Sequence, residues 1–278
     1  MSLIQDFVAG RTPPDLYDAY LTPLFETWSD VLVAAHPPRG HVLDIACGTG
    51  IVSRKLAGQP GVEQVAAIDI APPMLDKAKA LTGQDAGVSF HLASAEQLPF
   101  EDNAFQAAFC QQGLQFFPDR VAALKDAARV TQPGGHVVFS VWTAAHDGNP
   151  VFGTFEEIVA RDFSDDLVPF GPFSFGSAAS LRDTFEAAGL EVKSLERVER
   201  DANLGDPRSL VLFDLLFLGT PAADGSLQPL FDPADASKDA QIEAIIEELS
   251  ATTRDYQNAE GDLIAPTAAH VVVAEVAG

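Results

Sequence analysis

From His41 to Trp142 the chain alternates short apolar, β-rich runs with helical patterns, and this restricts the fold more than any other feature. Strand-helix units repeated in this way build a parallel sheet covered on both faces, so its strands read as continuous apolar runs. Such runs stand at 41–45, 64–69, 88–92, 105–110 and 136–142, with helical spacing over Ile51–Ala57, Pro73–Leu81 and Pro118–Val130. Pro133-Gly134-Gly135 reads as a turn before the fifth strand. Further on, a helix is expected at 178–188, stopped by Gly189, then a strand at 190–198 and a last strand at 269–276. More than sixty residues separate those two strands, with helical patterns at 207–218 and 236–256 and loop chemistry at Pro221, Gly225, Pro229 and Pro233. An insertion of that length reads as a lid. Residues 1–39 look helical too, with Tyr17, Tyr20, Phe25 and Trp28 available as cover.

A length of 278 residues with 47% hydrophobic content suits one large α/β domain or two small ones and excludes a disordered chain. The formal net charge is −23, from 17 Lys+Arg against 40 Asp+Glu. Such a surface repels phosphate backbones and anionic lipid, so nucleic acid and membrane are not expected partners, whereas a small-molecule substrate is. A saline habitat would produce the same charge, and composition does not separate the two causes. Cys47 and Cys110 are the only cysteines; they form neither a disulfide framework nor a ligand cluster, so no metal is expected and a reducing, cytoplasmic setting is. Residues 1–6 lack the basic flank and apolar stretch of a signal peptide, and Leu210 to Leu218, broken by Asp214, is too short to insert stably in a bilayer. The oligomeric state is open.

The segment Val42-Leu43-Asp44-Ile45-Ala46-Cys47-Gly48-Thr49-Gly50 runs from strand to glycine turn to helix. Gly48 and Gly50 remove side chains that would keep a ligand from the backbone. Nicotinamide and flavin enzymes use such a turn, but their fingerprint places Gly or Ala where this chain has Ser53. Asp44 at the mouth of the turn would repel a pyrophosphate and suits a ligand with an ammonium and a sulfonium, directly or through water. Nineteen residues after Gly50, Asp69 ends the second strand, where an acid can accept both hydroxyls of a ribose.

Asp44 to Gly50 resembles the first motif of class I methyltransferases, Asp69-Ile70-Ala71-Pro72-Pro73-Met74-Leu75 their second, and Ala93 to Phe105 their third with its run into strand four. The resemblance covers about residues 41–142 and is strongest to the branch of ubiquinone and menaquinone C-methyltransferases and their small-molecule relatives. It implies a Rossmann-like, doubly wound, mostly parallel seven-stranded sheet with helical lid insertions. A single domain is expected over 1–278, with a helical cap at 1–39, a cofactor core at 40–145, lid segments at 146–176 and 199–265, and remaining core at 177–198 and 266–278. The implied cofactor is S-adenosylmethionine, with S-adenosylhomocysteine as product. Gly48 and Gly50 would face the methionine portion, Asp69 the ribose, Ile70 and Met74 the adenine face, and Ala95 and Glu96 the adenine edge. Tyr20, Asp44, Ala46, Ser94, Gln111 and Gln115 complete the expected cofactor set. Relatives usually carry Gly-Asp where this chain has Ala93-Ser94, so the adenine amino group meets a neutral acceptor.

After strand four, Cys110-Gln111-Gln112-Gly113-Leu114-Gln115 lacks the Asn/Asp-Pro-Pro-aromatic signature of enzymes that methylate bases or amides. Gln111, Gln112 and Gln115 can position polar groups but cannot act as bases. His146, just after strand five, is the best-placed base candidate, needed only if the acceptor must lose a proton. His91, His136 and His270 read as structural, and His36 is unplaced. Phe152, Phe155, Phe163, Phe170, Phe173 and Phe175 fall within 24 residues, as a substrate cover or as the lid's own core. The leading expectation is methyl transfer to a small, partly apolar acceptor such as a quinone, polyketide, phenol or lipid-like metabolite. A non-catalytic adenosine-ligand-binding protein and, disfavoured by Asp44 and Ser53, a nicotinamide-dependent oxidoreductase are the alternatives.

Overall fold

The computed structural model describes residues 2–84, 86–163, 171–216, 219–221, 227–229 and 232–278. The chain divides into two compact units. One, here the sheet unit, comprises Phe25–Thr143, Phe175–Val198 and Ala268–Gly278; the other, the helical unit, comprises Met1–Leu24, Ala144–Ser174 and Glu199–Thr267. Phe170, Phe217 and Leu218 lie outside the described residues.

Seven strands form one sheet: β1 (Gly40–Ile45), β2 (Val62–Asp69), β3 (Val88–Leu92), β4 (Phe105–Gln111), β5 (Thr131–Trp142), β6 (Leu190–Asn203) and β7 (Ile264–Val276), in the order β3-β2-β1-β4-β5-β7-β6. The pairs β1 with β2 and β4, β2 with β3, and β4 with β5 are parallel, and β5 with β7 is antiparallel. Strand order reverses between β1 and β4, and an α/β sheet opens a crevice for ligands at the carboxyl ends of the strands there. The mostly parallel, doubly wound sheet is therefore as expected.

The continuous apolar strands bury both faces. Leu43, Ile45, Ala108, Cys110, Val137 and Phe139 form one face with Leu124 of α5 (Arg120–Val130) and Leu181 and Phe185 of α7 (Ala178–Ala187). On the other, Val42, Val65, Phe109 and Val138 pack with Leu32 of α2 (Pro13–Ala35) and Val52 and Leu56 of α3 (Ile51–Ala57). In α4 (Pro72–Thr82), prolines at the first positions cost no backbone bond, and Gly83 at φ 77° ends the helix. Asp119 caps α5 by accepting from the Ala122 N–H at 2.9 Å.

Strand five differs from its expected span, because Pro133-Gly134-Gly135 lies inside it rather than before it. The register against β4 breaks between Phe105 and Ala107, and Gly134 takes φ 76°. A Cβ on Gly135 would stand 2.7 Å from the Gln106 carbonyl, so the turn-like composition serves an irregularity within the strand. Strands six and seven extend to Asn203 and back to Ile264.

In the helical unit, α1 (Leu3–Val8) is closed by a Ser2/Gln5 capping box. The phenylalanine-rich region, for which no helix was expected, forms α6 (Pro150–Phe163). The helical patterns at 207–218 and 236–256 become α8 (Pro207–Leu215), capped by Asp206, and α9 (Asp239–Thr252), flanked by single 3-10 turns. Bidentate pairs join Arg161 to Glu248 at 2.7 Å and Arg208 to Glu243 at 2.9 Å, tying α9 to α6 and α8. Among the described residues no helix is long and apolar enough to cross a membrane.

Candidate functional site

At the end of β1 the chain turns through Ala46 at φ 57°, Gly48 at φ 55° and Gly50 at φ 82°. The Cys47 N–H donates to the Ile68 carbonyl and the Gly50 N–H to the Cys47 carbonyl, both at 2.9 Å. A left-handed alanine costs on the order of 1 kcal/mol or more, and such outliers persist where surrounding contacts over-determine them. Gly50 is required on two counts: its positive φ, and a Cβ position only 3.1 Å from Arg54 Nη1 and 3.2 Å from Ala78 Cβ. Arg54 in turn donates to the Thr49 carbonyl at 2.7 Å, pinning the start of α3.

Two carboxylates frame this loop. Asp69, at the end of β2, accepts from the Gly48 N–H through Oδ2 at 2.8 Å and from the Ala71 N–H through Oδ1 at 2.9 Å. Each oxygen thereby engages one lone pair and keeps another for a ligand. Asp44 is 1% exposed, and the Ser53 hydroxyl donates to its Oδ2 at 2.5 Å. Burial, opposed by that hydrogen bond and reinforced by the charge of Asp69, pushes the Asp44 carboxyl up to about 7. Ser53, which departs from the dinucleotide fingerprint, is thus the donor that anchors Asp44.

Beyond Asp69, Ile70 is 73% exposed, while Met74 on α4 is half-buried. The Ser94 hydroxyl donates to Glu96 Oε2 at 2.5 Å, and Glu96 Oε1 accepts from the Asp119 N–H at 3.2 Å, with Ala95 buried between Ser94 and Glu96. The carboxylate of Glu96 therefore ties its own loop to the start of α5.

At the end of β4, Gln111 pairs in register with Ser140, and its Nε2 donates to the Phe25 carbonyl at 3.2 Å. Gln112 takes φ 52°, with its N–H bonded to the Ser140 carbonyl at 3.0 Å. Among the described residues, the buried amide atoms of Gln112 and Gln115, together with Gln111 Oε1, Ser140 Oγ and Thr49 Oγ1, have no hydrogen-bond partner. A Cβ on Gly113 would lie 2.7 Å from Cys110 Sγ and 3.0 Å from Ala46 Cβ, so this turn packs directly on the glycine loop. The strain at Gln112 and the burial of Ser140 have no sequence signal: a polar residue at a strand end reads equally as turn chemistry.

Residues 43–139, which contain every element just described apart from Phe25 and Ser140, match the family model of a methyltransferase domain. Residues 43–139 are thus a methyltransferase-type domain. The chain is 31% identical over 154 residues to 2-methyl-6-phytyl-1,4-hydroquinone methyltransferase of Synechocystis, covering 55% of this chain and 47% of that protein. It is 36% identical over 156 residues to an O-methyltransferase of Aspergillus sclerotiorum, 55% of each. To the demethylmenaquinone methyltransferase of Staphylococcus aureus it is 32% identical over 166 residues, 53% of this chain and 66% of that one. The chain thus spans between about half and two thirds of these relatives. Two solved structures share the fold: a Bacillus halodurans protein with TM-score 0.60 at 19% identity, over 91% of this chain and all of that one, and phospholethanolamine N-methyltransferase 2 of Haemonchus contortus, TM-score 0.58 at 16% identity, over all of this chain and 61% of that one.

Outside the methyltransferase domain lie Tyr20 and His146, both in the helical unit. Arg11 Nη1 donates to the half-buried Tyr20 hydroxyl at 2.7 Å, and the Tyr20 ring lies 6.0 Å from that of Phe213. The His146 side chain is 59% exposed, with its ring nitrogens 3.9 Å from Glu156 and 3.7 Å from Glu157 on α6. The phenylalanines divide. Phe155 is fully buried in the helical unit, the rings of Phe152 and Phe173 lie 5.0 Å apart at a tilt of 43°, and Phe175 packs on the sheet-unit core beneath Arg120, whose guanidinium lies 4.3 Å from its ring. His36 stacks on His136 at 4.0 Å, and burial with the neighbouring charges of His136 and Arg39 brings it down to about 4.

Proposed function

We propose that this chain transfers a methyl group from S-adenosylmethionine to a small, partly apolar organic acceptor of the quinone, polyketide, phenol or lipid-like kind, releasing S-adenosylhomocysteine. The observation that carries the reading is Asp69 beside Ile70: a carboxylate whose two oxygens are aimed by backbone N–H groups and retain free lone pairs, next to an apolar side chain 73% exposed. That pairing fits the two hydroxyls of a ribose and the face of its base. Ile70 and Met74 would cover the adenine, with Ser94 and Ala95 along its edge and Glu96 fixing that edge. Ala46, Gly48 and Gly50 would admit the methionine portion. Asp44, too buried to touch a ligand, would act through the loop or a water. Gln111 and Gln115 would supply amide groups from the end of β4, and Tyr20 would complete the cover.

When bound, S-adenosylmethionine supplies a methyl carbon already activated by its sulfonium leaving group. The chain's own residues therefore have to align and to exclude water rather than to generate an electrophile. For an acceptor that must lose a proton, His146 is the base we propose, since its exposed ring can pass that proton to solvent. The hydroquinone, menaquinone-type and O-methyl relatives support the acceptor class, and the negative surface supports a small molecule over nucleic acid. A cytoplasmic setting belongs to this reading and is supported by two unpaired, buried cysteines.

Calorimetric titration with S-adenosylhomocysteine and NAD, followed by methyl-transfer assays on quinols and phenols, tests the proposal. Binding of the first, none of the second, and turnover on an apolar acceptor are expected. Preference for NAD would overturn the cofactor assignment. Cofactor binding with no turnover on any acceptor would favour a non-catalytic adenosine-binding protein.

A further inference from the structure

Arg120 opens α5, at the end of a helix where the macrodipole is positive and a cation is disfavoured. The chain sets 40 acidic residues against 17 basic ones, and Arg129, Arg161 and Arg208 each hold a carboxylate. Among the described residues Arg120 holds none. Its Nη2 donates to the Gln115 carbonyl at 2.9 Å, its guanidinium lies 4.3 Å from the centre of the Phe175 ring, and its Nε is buried without a hydrogen-bond partner. The two acids at this helix start are engaged by their own loops. Asp119 Oδ1 accepts from the Ala122 N–H, and Glu96 accepts from the Asp119 N–H and the Ser94 hydroxyl. The guanidinium is half-buried, and Arg120, Gln115 and Phe175 all belong to the sheet unit. Its tether stands in the turn after β4 that packs on Ala46, at the carboxyl ends of the strands where their order reverses. A cation fixed in direction but left without a counter-charge suits an anion brought by a ligand.

We propose that Arg120 is the acceptor's charge partner: it holds the oxygen of a phenol or enol as the anion, the proton having passed to solvent or to a base. The inference rests on the methyl-transfer reading and narrows its acceptor class to acidic ring or enol hydroxyls. An opposite charge within about 4–6 Å favours the ionised form of an acid, and the start of α5 adds its positive end. The whole-chain charge of −23 acts the other way, so an anion held here is held by a local group. Phe175 serves as the platform that sets the plane of the fork. An ether or an ester gains less from Arg120, because it brings no charge to pair.

The probe is 4-nitrophenol, whose phenolate is coloured; 4-nitroanisole, with no proton to lose, is its neutral control. Titrating the absorbance against pH with protein in excess should place half-ionisation about one pH unit lower than in buffer, a preference of about tenfold for the anion. Arg120→Gln, which keeps a donor for the Gln115 carbonyl, should remove the shift while leaving 4-nitroanisole and S-adenosylhomocysteine bound as in the native protein. Arg120→Lys, which keeps the charge without the fork, should retain part of it. Should Arg120→Gln fail to fold, Phe175→Leu takes away the platform and should at least halve the shift. No binding of 4-nitrophenol, no shift, a shift towards the neutral phenol, or a full shift persisting in Arg120→Gln or Phe175→Leu would overturn the proposal. So would a folded Arg120→Gln protein that loses S-adenosylhomocysteine and 4-nitroanisole together. The titration is run with and without S-adenosylhomocysteine: a native protein that does not bind this ligand defeats the methyl-transfer reading, whereas the shift measured without it still decides whether Arg120 holds the anion.

Discussion

The sheet unit and the helical unit each bury an aspartate, and they provide for it differently. In the sheet unit Asp44 has Ser53 to donate to it at 2.5 Å, and Asp69 has the N–H groups of Gly48 and Ala71. In the helical unit Asp214 Oδ2 has no partner among the described residues, and its carboxyl rises to about 8 against about 7 for Asp44. The cause is local geometry. A strand that breaks into a left-handed turn before a helix exposes several N–H groups at once, and these converge on any acid at the strand ends. The interior of α8 offers none, because its N–H groups are spent on its own carbonyls. Among the described residues no group donates to Asp214 Oδ2.

The strongest break in this comparison is Asp69→Ala. Two ribose hydroxyls would lose a charged acceptor and the Gly48 and Ala71 N–H groups their anchor, so S-adenosylhomocysteine binding should weaken by about 3 kcal/mol, roughly a hundredfold. Calorimetry measures this, with the urea unfolding curve of the variant as the control. Unchanged cofactor affinity would refute the ribose assignment; a variant that also unfolds at much lower urea would mean that the substitution disturbs the whole fold.

A second contrast concerns pH. Both buried acids are raised, so between pH about 4 and their native values the unfolded chain has released a proton that the folded chain still holds. Raising pH across that window therefore favours unfolding. Asp214→Asn should remove its part of the slope and gain on the native protein from pH about 4 to about 8, reaching on the order of 1–3 kcal/mol. Asp44→Asn should gain only to about pH 7 and by less, on the order of 1 kcal/mol or below, since the Asp44 carboxyl is raised less, the Ser53 hydroxyl already stabilising its charged form. Urea unfolding at pH 5, 6.5 and 8 gives both curves. A larger gain for Asp44→Asn than for Asp214→Asn would invert the ranking of the two sites.

How legible each unit was follows the same division. Strands covered on both faces announce themselves as apolar runs, and β1 to β4 fall within two residues of where the sequence places them. Pro133-Gly134-Gly135 misleads because local turn chemistry is overridden by pairing with β4 and β7. Helix α6 is missed because Gly153, Phe152 and Phe155 weaken its helical propensity, whereas burial of Val151, Phe155 and Ile158 against the rest of its unit stabilises it. At the candidate site the motifs identify Asp44, Gly48, Gly50 and Asp69, but not the strained Gln112 or the Ser53–Asp44 bond. Those depend on where the strand ends are brought, which no local pattern encodes. Asp214 is legible only as an interruption of an apolar run; its Oδ2, without a partner among the described residues, leaves no mark in the sequence.

The smallest expected effect discriminates within the sheet unit, which holds both cysteines while the helical unit has none. Cys47 is 8% exposed in the glycine turn after β1 and Cys110 is fully buried at the end of β4, and β1 and β4 pair at Asp44 and Phe109. Burial, with the charge of Asp44 adding to it, pushes both thiols well above the ordinary range. Only the thiolate reacts quickly, so alkylation of the folded protein at pH 8 should be at least about tenfold slower than in urea at both positions. Cys47, the less buried, should react before Cys110. Saturating S-adenosylhomocysteine should slow Cys47 further, by a few-fold, because a ligand seated on Gly48 and Gly50 holds that turn closed. Mass spectrometry of each cysteine-containing peptide over time reports the two rates separately. If Cys110 reacts first, or if cofactor leaves the Cys47 rate unchanged, the turn is not where the cofactor sits, and the contrast between a loop whose N–H groups converge on its acids and a helix that offers its aspartate none loses its first half.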